Sequence, residues 1–327
     1  MIQRKQRKQI KQIKKRYNSK RKFKKSIFIF LFILSIIYII FNRLLYLKNK
    51  RINETFSTQS QEKISEISNS NIDLSNNVEI SHDTKISELL DTIRLEKNLN
   101  EHNFSFFYFN ITDNKYYFYN PYKYFSGAST VKLPVAMYYY DKINSGKLTS
   151  TNKLFYHNSC NEPGFGTTSY TYSPGQYVPI NFLLEQSIIN SDNTAVNILI
   201  RNLGYMSYRY DITKYTNEVL PQAFYSDNLT CAAYGFDVIN YLYQHRDSYT
   251  ELISNMKKAS TSEYLKKYIK DYDVAHKYGC YKDNVHDYGI VFGKDTYLIG
   301  IYTKGISNAD ELIANINLDI LNYTLNN

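Results

Sequence analysis

The chain has 327 residues, 40 Lys or Arg against 30 Asp or Glu, and 16% aromatic side chains, with 34 tyrosines and no tryptophan; that length allows one large domain or two average ones. The formal charge of +10 belongs to one end, because 17 of the 40 basic residues precede the first acid, Glu54, and residues 52–327 then carry 23 basic against 30 acidic side chains, about −7. Cys160, Cys231 and Cys280 form no Cys-x-x-Cys pair and the six histidines show no ligand spacing, so neither a zinc site nor a disulfide framework is encoded, and no metal or cofactor is expected.

Residues 1–25 form a basic tail with 13 Lys or Arg. Alone, such a tail is a candidate for nucleic-acid binding; the segment after it argues for a different role. Ile27–Phe41, "IFIFLFILSIIYIIF", carries only Ser35 and Tyr38 as polar side chains, and Leu44–Leu47 extends it. A stretch near 20 residues spans a bilayer core, and dense positive charge before it holds the N-terminus in the cytoplasm. No small-x-small cleavage site follows. The expectation is therefore a single-pass cell-membrane protein anchored through 26–47, with its N-terminus cytoplasmic, the bulk of the chain extracellular and no nucleic-acid partner. Residues 48–83 are rich in Asn, Ser, Glu, Gln and Lys and lack Gly and Pro, the composition of a flexible polar stalk.

Apolar periodicity starts in the last segment, 84–327. Ile86, Leu89, Leu90, Ile93 and Leu95 predict a helix capped by Asp83 or Thr84. The runs "FSFFYFN" (104–110) and "KYYFYN" (115–120), split by "ITDN", predict a hairpin. Segments 129–145, 181–203 and 230–244 carry apolar residues at helical spacing. Three strands are predicted at 273–281, 288–292 and 297–303, before a last helix opening at Ser307 or Asn308. This order predicts an α/β (α+β) domain: an antiparallel sheet of about five strands from both chain ends, flanked by helices, with an all-helical subdomain inserted.

Ser129 and Lys132, in "SGASTVKLP", lie one turn apart on a shared helix face. The spacing alone is weak, since Ser-x-x-Lys also occurs at Ser19, Ser60, Ser150 and Ser254. Ser191-Asp192-Asn193 follows 62 residues on and directly opens an apolar helix; a second Ser-Asp-Asn at Ser226 does not. Lys277-Tyr278-Gly279, inside a predicted strand, is the chain's single Lys-x-Gly. A serine hydroxyl needs a nearby base to act as nucleophile, and a lysine serves if burial and a second cation lower its pKa.

Three motifs in this order and these settings resemble the signature set of the penicillin-recognising serine hydrolases. "STVKLPVAMYYYDKINSGKL", "SPGQYVPINFLLEQSIINSDNTAVNILI" and "VAHKYG" are similar to the corresponding stretches of class A β-lactamases, and the likeness covers about 84–325. The resemblance implies the β-lactamase/transpeptidase-like fold, with Ser129 as nucleophile, Lys132 as its base and Ser191 relaying a proton to the leaving nitrogen. It further implies that Asn193 binds the substrate's side amide and that Lys277, Tyr278 and Gly279 lie on the carboxylate side. The backbone N–H groups of Ser129 and Cys280 would hold the oxyanion.

Two departures bear on turnover and substrate. The carboxylate that activates the releasing water in class A enzymes has its nearest match in Glu218, paired by spacing with Gln222, on a shortened loop; Asp227 is a poorer match. Tyr278 replaces the usual Thr or Ser. Three readings follow. The first is a hydrolase opening β-lactam rings, the second a D,D-peptidase acting on D-Ala-D-Ala wall peptides, and the third a non-catalytic penicillin sensor or wall-binding module.

Overall fold

Strands from the two ends of the chain share one sheet. The computed structural model describes residues 80–325 apart from 165, 206 and 261. Of the two units into which the chain divides, 1–75 and 76–327, the described residues all belong to the second. The strands of its main sheet are β1 (Ser81–His82), β2 (Phe104–Asn110), β3 (Lys115–Tyr119), β4 (Asp273–Tyr281), β5 (Asn284–Phe292) and β6 (Tyr297–Lys304). They run in the order β1-β3-β2-β6-β5-β4, and every pairing is antiparallel except β1 with β3. The five expected strands are present. The sixth, β1, comes from the end of the segment expected as stalk.

The longer helices are α1 (Thr84–Lys97), α2 (Lys132–Asn144), α3 (Ile180–Ile189), α4 (Asn193–Leu203), α5 (Ala232–Gln244), α6 (Thr250–Lys258) and α7 (Ala309–Leu325). Asp83 starts α1, its Oδ1 accepting from the Ile86 N–H at 3.0 Å, a cap worth about 1 kcal/mol. α1 and α7 bury Ile86, Leu90, Ile313, Ile316 and Ile320 against Phe104, Phe106, Tyr108, Ile299 and Ile301 on one sheet face. The other face, with Phe107, Leu298 and Tyr302, packs on the helical block. Both faces being covered explains why "FSFFYFN" is nearly continuously apolar rather than alternating. Gly300, paired with Phe107, is required there: a Cβ would lie 2.0 Å from the Phe107 ring.

The helical stretch expected over 181–203 is two helices. The break holds Ser191, whose φ of 51° is left-handed, a conformation that ends one helix while Asp192 caps the next through the Ala195 N–H at 3.0 Å. α6 was not predicted. Its apolar residues Leu252, Ile253 and Met256 are too few for a long periodic signal.

Among the described residues no helix is long and apolar enough to cross a membrane. The expectation of a single-pass cell-membrane protein, N-terminus cytoplasmic and catalytic domain extracellular, is corrected accordingly. That placement rested on the apolar segment 26–47, which lies outside the described residues, as do the basic tail 1–25 and residues 48–79 of the expected stalk.

Candidate active site

The chain enters the site through a turn built around a strained residue. Ala128 has φ 47°, and residues Ala128–Val131 form a 3-10 turn that leads into α2. Ser129 is half-buried there and caps neither helix with its side chain, so its hydroxyl is free for another role. One turn on, Lys132 is 2% exposed. Its Nζ lies 2.9 Å from Ser129 Oγ, 2.6 Å from the Ser191 carbonyl, 3.2 Å from Ser191 Oγ and 2.7 Å from Asn193 Oδ1. The left-handed backbone at Ser191 is what turns its carbonyl and hydroxyl toward the same amine.

Burial pushes the Lys132 amine down from 10.5 to about 7, against the charges of Asp192 and Glu162, which hold it up. A neutral amine fits its contacts. Its two N–H donors can serve the Ser191 carbonyl and Asn193 Oδ1, which leaves the lone pair for the Ser129 hydroxyl. Lys277 is fully buried; burial, and then the charge of Lys132, lower its amine well below the usual value. Its Nζ donates to Ser191 Oγ at 3.1 Å and to the Tyr278 carbonyl at 2.9 Å. Ser191 thus bridges the two lysines.

β4 closes the other side. Gly279 packs on the Ser129 turn, where a Cβ would lie 3.0 Å from the Ser129 and Thr130 nitrogens. Cys280, next along the strand, is an exposed free thiol. Tyr278 stacks on Tyr264, with ring centroids 4.8 Å apart, and the Lys277 Nζ lies 4.1 Å from its ring centre. Burial raises the Tyr278 phenol pKa, and a side-chain hydrogen bond with Ser191 acts the other way.

Glu218 is not drawn into this group. Its Oε1 accepts from the Tyr122 hydroxyl at 3.4 Å, its N–H donates to Thr216 Oγ1 at 3.0 Å, and its charge acts on Tyr122, Tyr124 and Cys231. Asp227, the other sequence candidate, is exposed and accepts from Ser226 Oγ at 3.3 Å.

Two residues that sequence reasoning missed are tied to the site. Glu162 accepts from Asn193 Nδ2 at 2.8 Å, which fixes the flip of that amide: its oxygen faces the lysine donor and its nitrogen the carboxylate acceptor. Asn228, from the rejected second Ser-Asp-Asn, donates to the Ala128 carbonyl at 2.8 Å. Its own carbonyl accepts from the Gly127 N–H at 2.6 Å, and buried Arg209 holds its Oδ1 at 2.7 Å. It splints the turn ahead of Ser129. No motif marks Glu162, and the signal for Asn228 was the repeated triplet itself.

The chain is similar to known proteins both in sequence profile and in fold. A profile described as the beta-lactamase enzyme family matches residues 83–324. Among solved structures, PBP-A is 20% identical, covers 75% of this chain and 98% of its own, and superposes with a TM-score of 0.65. TLA-3 extended-spectrum β-lactamase is 18% identical over 74% and 98%, TM-score 0.63. A β-lactamase from Sphaerobacter thermophilus is 17% identical over 73% and 96%, TM-score 0.60. No curated protein matches the chain. At these identities the solved structures share the fold, and the profile, spanning most of the chain, gives the family. The chain belongs to the beta-lactamase enzyme family and is a serine hydrolase.

Proposed function

We propose that the domain opens β-lactam amide bonds through an acyl-enzyme on Ser129. The observation that carries this reading is the 2.9 Å contact of Lys132 Nζ with Ser129 Oγ, made by an amine whose pKa burial brings to about 7. Ser129 Oγ bonds to the lactam carbonyl carbon as its proton passes to Lys132 Nζ. The oxyanion is held by the Ser129 N–H and the Cys280 N–H on either side of the Gly279 contact. On collapse the carbon–nitrogen bond breaks and Ser191 Oγ gives its proton to the leaving nitrogen. Ser191 is replenished from the lysines that bond it at 3.2 Å and 3.1 Å. Lys277 and Tyr278 form the carboxylate side of the cleft, and Asn193 meets the acyl side chain. A mutant of PBP-A, 19% identical to this chain, forms an acyl-enzyme with penicillin G, which supports the same substrate class here.

The D,D-peptidase reading stays beside it for a specific reason: Glu218 bonds Tyr122 and has no hydrogen bond to Ser129 or Lys132 among the described residues. The same acylation steps serve a D-Ala-D-Ala peptide bond. Turnover of a chromogenic cephalosporin, measured beside D-Ala release from a wall pentapeptide with the full chain, separates the two. Ser129→Ala abolishes both activities and covalent labelling by a fluorescent penicillin. Label persisting on Ser129→Ala overturns the assignment.

A further inference from the structure

The loop after the 3-10 turn Asn158–Cys160 carries a negative charge to the acyl side of the site. Glu162 is exposed, and each of its carboxylate oxygens accepts one carboxamide N–H, from Asn193 at 2.8 Å and from Asn197 at 3.0 Å. Its backbone N–H donates to Thr194 Oγ1 at 2.9 Å. Three residues of one helix therefore hold it, all by neutral groups. The result is a fixed carboxylate with no ion-pair partner among the described residues.

Its position matters because of what it shares with the substrate. Asn193 Nδ2 has two hydrogens; one goes to Glu162, and one remains to meet an acyl-group carbonyl. A carbonyl oxygen that reaches Asn193 therefore arrives next to an anion, which disfavours it. An ammonium on the carbon beside that carbonyl turns the same anion into a partner.

We propose that Glu162 is a specificity determinant that favours acyl groups bearing an ammonium α to the side amide over their neutral counterparts. This rests on the reading that Ser129 is acylated and that Asn193 meets the acyl side chain.

Ampicillin and benzylpenicillin differ only by that α-ammonium, so the ratio of their acylation rates reads the charge of Glu162 directly. Any effect of Glu162 on Lys132 is common to both compounds and cancels. Rates are followed at neutral pH by intact-protein mass on the full chain. The ampicillin-to-benzylpenicillin ratio falls roughly 1.5- to 5-fold in Glu162→Gln, the range for an exposed ion pair. It is kept in Glu162→Asp, and it shrinks for the wild type in about 1 M salt, where the screening length is about 3 Å. Gln keeps the shape and one acceptor, so a merely structural role for Glu162 leaves the ratio unmoved. Labelling by both compounds with the same ratio in wild type and Glu162→Gln overturns this inference alone. No labelling of the wild type by either compound overturns the Ser129 reading and this inference with it.

Discussion

Gly279 and Ser129 touch through their backbones: a Cβ on the glycine would stand 3.0 Å from the serine nitrogen, 3.0 Å from the Thr130 nitrogen and 3.1 Å from the Gly127 carbonyl. The strand and the Ser129 turn approach this closely only because the third motif ends in a residue without a side chain. All three neighbours are backbone atoms, so none can rotate away. Gly279→Ala is expected to push the turn off β4, at a cost of about 1–3 kcal/mol in stability. It misaligns the Ser129 N–H from the Cys280 N–H, and loss of one oxyanion donor slows acylation by about 10²–10³. Penicillin labelling over time, with a thermal melt to show that the variant is folded, checks both. A folded Gly279→Ala protein that labels at the wild-type rate rules out an oxyanion site at this contact.

Lys132 ties activity to stability. Its folded pKa, about 7, lies below the ordinary 10.5. Between those values the unfolded chain holds a proton that the folded chain does not, so this group's contribution to stability rises with pH. Below about pH 7 both forms are protonated and the full burial penalty applies. Lys132→Met removes the titration. The stability of wild type relative to Lys132→Met is expected to rise by at most about 2–3 kcal/mol between about pH 7 and 9. Urea unfolding of both proteins at the two pH values measures it. Parallel pH dependence in the two would mean that Lys132 keeps an ordinary pKa.

The same group sets the acid limb of acylation. In the proposed mechanism the base is the neutral amine, so the acylation rate is expected to climb as pH rises through about 7, the value to which burial brings Lys132. Glu162 and Asp192 hold that value up. Removing the Glu162 charge lowers it, so Glu162→Gln moves the acid limb to lower pH, with benzylpenicillin as the probe. An upward shift would contradict the electrostatic coupling.

What could be read in the sequence follows from how local each feature is. The hairpin 104–119, the C-terminal strands and α1 with its Asp83 cap are set by short-range patterns, and they appear where expected. Ser129 with Lys132 is one helical turn, and its contact with Ser191 and Asn193 follows from motifs placed in known settings. Glu162 reaches Asn193 across 31 residues and Asn228 reaches Ala128 across 100. Neither pairing leaves a periodic trace, because each depends on how loops pack on a finished core. Glu218 lies apart from the Ser129 group for the converse reason. Its spacing to Gln222 matched a pattern, but a loop carboxylate goes where a phenol and a threonine hydroxyl will hold it.

Release of the acyl group is the step the described site supports least. It needs a base that orients water on the ester carbonyl. The two carboxylates whose charge reaches Lys132 are both engaged. Asp192 is buried, capping α4 through the Ala195 N–H at 3.0 Å and accepting from the Thr168 N–H at 2.9 Å. Glu162 is held by Asn193 and Asn197. Glu218 bonds Tyr122. Acylation is therefore expected to outrun release, so that intact-protein mass spectrometry finds a lasting adduct heavier by one β-lactam. Glu218→Gln should leave both the build-up and the decay of that adduct unchanged, since the substitution removes a charge that lies against Tyr122 rather than Ser129. A wild-type protein that sheds its adduct quickly while Glu218→Gln keeps it would show that the loop carries Glu218 to the ester during turnover. Time courses on both proteins, from seconds to hours after mixing with benzylpenicillin, decide between these outcomes.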